Sequence, residues 1–353
     1  MRAARFHGVG DVRIEDVPPP TRDLGPDDVL VVPRECGICG TDLHEYAHGP
    51  IQTSAEPHRR SGASLPQILG HEFSGEVLAV GASVQSVKPG DRVAIMPQVF
   101  CGHCEQCLAG RQQCCADVAV VGLQWPWGGF SEYAVVPEPQ VAGLPDSVSD
   151  AAGALVEPAA VAVHAVSSSG VRPGDTVLIT GGGPIGQLTA LAALASGAGA
   201  VLVSEPNAGR RERAAALGIT GTIDPRTEDV AERLAATTRG VGADACFECS
   251  GNQRALDACL AAVKRGGTVV QTALYLHPVQ VDADQLVLRD VTLKGVYCYP
   301  VTSWPRVIAM IASGRLPVER IVTARIALDD LVARGFEALL APDGSEVKVL
   351  VHA

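Results

Sequence analysis

The sequence predicts an α/β protein in two parts: a β-rich segment over residues 1–157 and a doubly wound parallel sheet beginning near residue 174. Three observations predict it. The length of 353 residues suits two domains of about 150 residues each. Short β-branched runs punctuated by Pro and Gly fill the first part. From residue 174 onward, strand and helix patterns alternate at βαβ spacing, which implies a parallel sheet.

In the first part, residues 29–32, 75–80 and 91–95 alternate or are β-branched and read as strands. Residues 49–66 are polar and irregular and read as a long surface loop. In the second part, a buried strand at 176–180 leads through a glycine turn into a helix ending near 196. A strand at 200–203, a helix at 210–217 and a short strand at 220–223 follow. Next come a helix at 229–238, a strand at 243–249, a helix at 253–264 and a strand at 268–272. A further strand is expected at 291–296, then a helix at 304–313, a closing segment at 326–340 and a final strand at 347–351. No internal repeat or low-complexity tract interrupts this order.

Composition removes several classes of function. Hydrophobic residues make up 47% and charged residues 19%, which excludes a disordered chain. A net charge of −11 disfavours nucleic acid or an anionic membrane as partner, since both need clustered positive charge. Residues 176–204 are uncharged and long enough to span a bilayer, but six glycines and Pro184 break them into strand, turn, helix and strand. The first residues lack an apolar stretch and reach Asp11 at once, so no secretory signal is read and a cytoplasmic location is expected. Eleven cysteines, an odd number without an export signal, point away from disulfides and toward metal or redox roles.

Gly181-Gly182-Gly183-Pro184-Ile185-Gly186 fits G-x-G-x-x-G between a strand and a helix, the context a dinucleotide site requires. Gly181 permits the tight turn, Gly183 the approach of a pyrophosphate, and Gly186 close packing of helix on strand. The phosphates then lie at a helix N-terminus, whose free N–H groups favour anions. Glu205 closes the second strand, nineteen residues after Gly186. An acid there bonds the adenosine ribose hydroxyls and repels a 2′-phosphate, favouring NAD over NADP. Arg210 and Arg211 stand nearby and weigh the other way.

Cys101, Cys104, Cys107 and Cys115 form C-x2-C-x2-C-x7-C. Four thiolates so spaced can enclose one Zn²⁺ with no open position, a structural site. An iron–sulfur cluster competes, although the last spacing and the absence of a following Pro suit it poorly. Cys114 is adjacent, and spacing selects Cys115. A nucleic-acid-binding zinc ribbon would want basic neighbours, and only Arg111 is at hand. A second group of ligand types lies in Cys36-Gly37-Ile38-Cys39-Gly40-Thr41-Asp42-Leu43-His44, Gly70-His71-Glu72 and Glu157-Pro158. Cys36 with Cys39 also reads as a redox CxxC, without the βαβ surroundings of one. Cys39 and His71 with one or both of Glu72 and Glu157 would make a mixed sulfur, nitrogen and oxygen site, and three such ligands plus water is the catalytic arrangement.

These segments, together with Gly128-Gly129-Phe130-Ser131-Glu132-Tyr133, Leu155-Val156-Glu157-Pro158-Ala159-Ala160 and Ile311-Ala312-Ser313-Gly314-Arg315-Leu316-Pro317, resemble the zinc-dependent medium-chain dehydrogenase/reductase family. The resemblance covers the whole chain and is nearest to the (R,R)-2,3-butanediol dehydrogenase branch, with sorbitol and threonine dehydrogenases next. It implies a GroES-like β-barrel catalytic domain from residues 1–157 and 297–353, a Rossmann NAD-binding domain from 158–296, and an active site in the cleft between them. It implies that Cys39, His71 and Glu157 ligate a catalytic zinc, with Glu72 able to enter or leave. Asp42 orients His71, and Cys36 is not a ligand.

The implied activity is hydride transfer between NAD(H) and a secondary alcohol or ketone, with zinc as Lewis acid. Thr41 passes the proton through the nicotinamide ribose hydroxyl, and His44 releases it to solvent. A vicinal diol or hydroxyketone of the butanediol/acetoin type suits the ligand set. Tyr46, Trp125, Trp127 and Tyr299 are candidate pocket aromatics. Trp125-Pro126-Trp127 and Cys298-Tyr299-Pro300-Val301 depart from the butanediol pattern and leave a polyol, amino-alcohol or bulkier secondary alcohol open. A non-catalytic dinucleotide-binding protein on this fold would lack Cys39, His71, Glu72 and Glu157. The family implies a homodimer or homotetramer, with the edge strand at 291–296 able to pair across a two-fold axis.

Overall fold

The computed structural model describes residues 1–20, 24–342 and 344–352. Six parallel strands form the expected doubly wound sheet. They lie in the order Gly221–Ile223, Ala200–Ser204, Thr176–Thr180, Ala243–Glu248, Val263–Gln271 and Thr292–Gly295. The order reverses between Thr176–Thr180 and Ala243–Glu248, which makes a crevice at the carboxyl ends of these two strands. The uncharged stretch resolves into strand Thr176–Thr180, helix Pro184–Ala195 and strand Ala200–Ser204. Among the described residues no helix is long and apolar enough to cross a membrane.

The first part of the chain and its last strands build a seven-stranded sheet. Its path runs Val141–Gly143, Arg92–Ile95, Glu72–Val80, Asp28–Gly37, Lys348–His352 and Val322–Ala327, and Ala134–Pro137 also pairs with Asp28–Gly37. Lys348–His352 thus pairs with the end of Asp28–Gly37, with Leu350 opposite Gly37 and Val351 opposite Cys36. A two-stranded ribbon, Gln98–Val99 with Ala119–Val120, carries the cysteine-rich segment between its arms. One apolar core joins the two parts: Ala94, Val148 and Leu155 pack in the same cluster as Val177, Ile179 and Val203. Helix Val156–Ser169 runs through it.

Several elements differ from the sequence expectation. Strand Val263–Gln271 begins where a helix was expected to continue, because Val263 is buried opposite Ala243 and a register shift follows. Helix Ala283–Arg289 was not expected; it buries no side chain, so it carries no apolar stripe to read. Helix Gly40–His48 was also unread, since its N-cap is Cys39 and not one of the oxygen-bearing residues that usually mark a helix start.

Helix Gly40–His48 also organises the loop at 49–66. Glu45 is fully buried, and its carboxylate accepts from the backbone N–H of Ile51 at 3.1 Å and from Thr53 Oγ1 at 2.6 Å, with Gln52 N–H as a further donor. The loop is irregular in backbone yet tied here, and again where Arg60 donates to Asp117 O at 2.7 Å and Gln52 O accepts from Gln124 Nε2 at 2.9 Å. Hydrogen bonds to a buried charge contribute about 1.5–3 kcal/mol each. Glu45→Ala should therefore lower unfolding stability by roughly 3 kcal/mol. Urea denaturation and limited proteolysis within 49–66 would test this, and an unchanged midpoint and cleavage pattern would refute it.

Candidate functional site

The cysteine segment closes on itself. The sulfurs of Cys101, Cys104, Cys107 and Cys115 all lie within 4.8 Å of one another. Cys104 Sγ is 3.5 Å and Cys101 Sγ 3.8 Å from Cys107 Sγ. Four sulfurs at about 2.3 Å from a zinc ion sit about 3.8 Å apart along the tetrahedron's edges, so the group has the size the ion requires. Backbone N–H groups point at the sulfurs: Cys104 N–H at Cys101 Sγ (3.3 Å), and Cys101 and Asp117 N–H at Cys115 Sγ (both 3.4 Å). Chiefly through the Cys107 backbone, such donors bring the Cys104 thiol down to about 6, while burial first of all takes Cys107 up to about 12. Cys114 is exposed and outside the group.

The mixed group is built from two elements, with a third beside it. Cys39 is the N-cap of helix Gly40–His48, and His71-Glu72 opens strand Glu72–Val80. Cys39, His71 and Glu72 present a sulfur, a nitrogen and an oxygen all within 4.8 Å of one another. Glu157, in the first turn of helix Val156–Ser169, is not within that mutual distance but is close enough to be felt by both Glu72 and His71. Burial, and then the Glu72 carboxylate, push Glu157 up to about 7.

Asp42 sets the first two members. It is fully buried, and its Oδ2 accepts from Cys39 N–H at 2.9 Å. Its Oδ1 stands 3.5 Å from His71 Nδ1, an ion-pair contact without a formed hydrogen bond. Burial pulls the His71 imidazolium down, but Asp42 and Cys39 outweigh it and hold it well above its usual range. The partner of Glu72 is one that no local pattern in its own segment reveals. Lys348 Nζ donates to Glu72 Oε2 at 2.6 Å and to Ile38 O at 2.9 Å, and both members of the pair are 1% exposed. Breaking such a pair from one side costs about 3–5 kcal/mol. Among the described residues, three buried carboxylates (Asp42, Glu72 and Glu157) thus stand around Cys39 and His71, with the Lys348 ammonium on Glu72. That imbalance, and the sulfur, imidazole and carboxylate donors, fit a divalent cation of zinc's type.

Thr41 Oγ1 lies 3.8 Å from Cys39 Sγ, and His44 follows three residues later on the same helix. His44 is half-buried, and burial draws its imidazole below the usual value. Cys36 is buried and packed where Gly70 and Gly129 come close, its thiol raised well above the usual range by burial. Of the candidate pocket aromatics, Tyr46 stacks against Phe336 at 5.2 Å and Trp125 spends its N–H on Val135 O at 3.0 Å. Tyr299 is fully buried and donates to Glu157 Oε1 at 2.9 Å.

The glycine turn lies at the crevice of the parallel sheet. Gly181 has φ +102°, and a Cβ on Gly186 would stand 1.9 Å from Gly181 O, so helix and turn touch only because both are glycine. Gly183 is the N-cap of the helix begun by Pro184 and Ile185, and a Cβ there would meet only open space. That leaves room for an anion at the helix N-terminus. Glu205 is buried beside the turn, accepting from Gly182 N–H at 2.6 Å and Asn207 N–H at 2.8 Å. Arg211 is held by Asp224 at 3.0 Å and by the carbonyls of Glu205 and Pro206. Arg210 is not so held: its Nε is buried without a partner.

The two metal groups can be separated by mutation. Cys115→Ser should remove one zinc per chain and destabilise the Cys101–Cys115 segment, whereas Cys114→Ser should leave the zinc content intact. Elemental analysis of the purified variants decides it; equal loss in both, or in neither, would refute the assignment.

Known proteins fit this geometry. Residues 25–146 match the family model "Alcohol dehydrogenase GroES-like domain" and residues 184–313 match "Zinc-binding dehydrogenase". The chain is 38% identical to an (R,R)-butanediol dehydrogenase of Bacillus subtilis, over 100% of this chain and 99% of that one. The crystal structure of the 2R,3R-butanediol dehydrogenase from Bacillus subtilis superposes with a TM-score of 0.93 at 37% identity, covering 100% of this chain and 99% of the other. A Sinorhizobium meliloti protein crystallised with NADP superposes at 0.89 and 34% identity, covering 100% and 99%. The chain belongs to the zinc-dependent medium-chain dehydrogenase/reductase family and is an alcohol dehydrogenase of that family.

Proposed function

We propose that the chain oxidises a vicinal diol, of the (R,R)-2,3-butanediol type, to the hydroxyketone with NAD, and runs the reverse reduction. The observation that carries this is the buried trio Cys39, His71 and Glu72 with a further carboxylate, Glu157, standing beside it. In this reading residues 1–157 and 297–353 form the catalytic unit and 158–296 the cofactor unit. Cys39, His71 and Glu72 hold the catalytic zinc, in place of the expected Cys39, His71 and Glu157, because Glu72 is the glutamate whose oxygen lies within 4.8 Å of both other ligands; Glu157 can exchange with Glu72, and Cys101, Cys104, Cys107 and Cys115 hold the structural one. When bound, zinc supplies the Lewis acid that makes an alcohol hydroxyl acidic near neutral pH, and NAD supplies the hydride acceptor.

The chain's own residues do the rest. Asp42 fixes the His71 ring, and Lys348 holds one oxygen of Glu72 so that the other is free to ligate. Thr41 Oγ accepts the substrate's proton as it gives its own to the nicotinamide ribose hydroxyl, and His44, one turn along the helix and half-buried, releases the proton to solvent. Gly181, Gly183 and Gly186 make space for the pyrophosphate before the helix opened by Pro184 and Ile185. Glu205 receives the adenosine ribose, with Arg210 beside it. The relatives' butanediol names and the second carboxylate support a diol over a simple alcohol. Eleven free cysteines suit a reducing compartment, the cytoplasm.

The same reading includes a homodimer or a tetramer built from it. Strand Thr292–Gly295 pairs with Val263–Gln271 on one side and, among the described residues, forms an edge of the parallel sheet, and Val287 and Leu288 on helix Ala283–Arg289 are 78% and 74% exposed.

Purified protein should form NADH rapidly from (R,R)-2,3-butanediol, lose that activity to a chelator and regain it with zinc, at two zinc ions per chain. No turnover of the diol by protein carrying both ions would overturn the substrate assignment. Light scattering should report at least a dimer, and Val287→Glu with Leu288→Glu should shift it toward monomer; a wild-type monomer would refute the pairing.

A further inference from the structure

Tyr299 is the largest fully buried side chain, yet it is more than filler. A phenol taken out of water needs a hydrogen-bond partner, and here the partner is Glu157 Oε1, at 2.9 Å. Glu157 stands near Cys39 and His71 but, like Asp42, outside their group. Its other oxygen, Oε2, receives no donor among the described residues, and the side chain keeps 8% of its surface open. One oxygen is thus fixed by the protein and the other is free for a ligand.

The chain holds Tyr299 firmly. Cys298 takes φ +47°, a left-handed conformation that a non-glycine residue adopts only when its surroundings insist. The bend leaves Tyr297 at 46% exposure and Tyr299 at 0%. Trp304 backs the Tyr299 ring, with centroids 6.0 Å apart and planes tilted by 59°.

We propose that Tyr299 is a positioning residue for substrate choice: it fixes Glu157 so that the free oxygen accepts the second hydroxyl of a vicinal diol. This rests on the diol dehydrogenase reading above. A mono-alcohol has no group to offer that oxygen. Sites built to bond a particular hydroxyl discriminate strongly against analogues lacking it, because their buried polar group is left unpaired.

The test compares kcat/KM for (R,R)-2,3-butanediol and (R)-2-butanol in the wild type, Tyr299→Phe, Glu157→Gln and the double variant. Zinc content and NADH binding are measured in each. Tyr299→Phe should lower the diol-to-mono-alcohol ratio about tenfold, mainly through the diol KM. In the double variant the ratio should fall no further than in Glu157→Gln alone, because the two act as one unit. An equal fall for both alcohols, as lost packing would give, overturns the proposal, and so does an additive fall in the double variant. Where Tyr299→Phe does not fold, Trp304→Phe unseats the same ring, and an unchanged ratio there is equally adverse. A wild-type ratio near one, with zinc and NAD chemistry intact, would instead overturn the diol reading itself.

Discussion

The molecule is organised around a balance of buried charge. Asp42, Glu72 and Glu157 are all buried, and Glu72 has the Lys348 ammonium against it. An unpaired carboxylate at that depth would cost several kcal/mol. Each is therefore matched by a partner brought from elsewhere in the fold. Asp42 meets the first amide of the helix and the His71 ring, Glu72 meets Lys348, and Glu157 meets Tyr299. The strand order of the first sheet serves this balance, since Lys348–His352 lies directly beside the end of Asp28–Gly37.

The metal pocket and the dinucleotide crevice are mechanically joined. Glu157 sits at the start of helix Val156–Ser169, whose Val156, Ala159, Ala160 and Val163 share a core with Leu188, Leu191 and Ala192 of helix Pro184–Ala195. That second helix begins at the glycine turn. The small residues on both helices bring their axes close, and close-packed interiors transmit displacement with little loss. Packed side chains thus run without a break from helix Pro184–Ala195 to the helix that carries Glu157.

How much of this could be read from the sequence depended on range. The doubly wound sheet was legible because strand and helix periods are local, and the glycine turn because its steric demands fall within six residues, Gly181 to Gly186. The cysteine cluster was legible for the same reason: its members lie within fifteen residues of one another. Lys348 was not. In Glu346-Val347-Lys348-Val349-Leu350 it looks like an ordinary polar position of an alternating strand, and only its neighbours across the sheet show it to be buried. Helix Gly40–His48 was hidden by a cap made of a metal-ligand type, Cys39. Tyr299 was read as a pocket aromatic, since a phenol's partner 142 residues away leaves no trace in its own segment.

The long separation of Glu72 and Lys348 also orders events during synthesis. Lys348 leaves the ribosome 276 residues after Glu72. Until then the nascent chain carries the carboxylate without its ammonium, and the sheet cannot close over it without stranding charge. The candidate pocket is therefore complete only once strand Lys348–His352 has joined the sheet, and a chain without that strand would leave Glu72 without its ammonium.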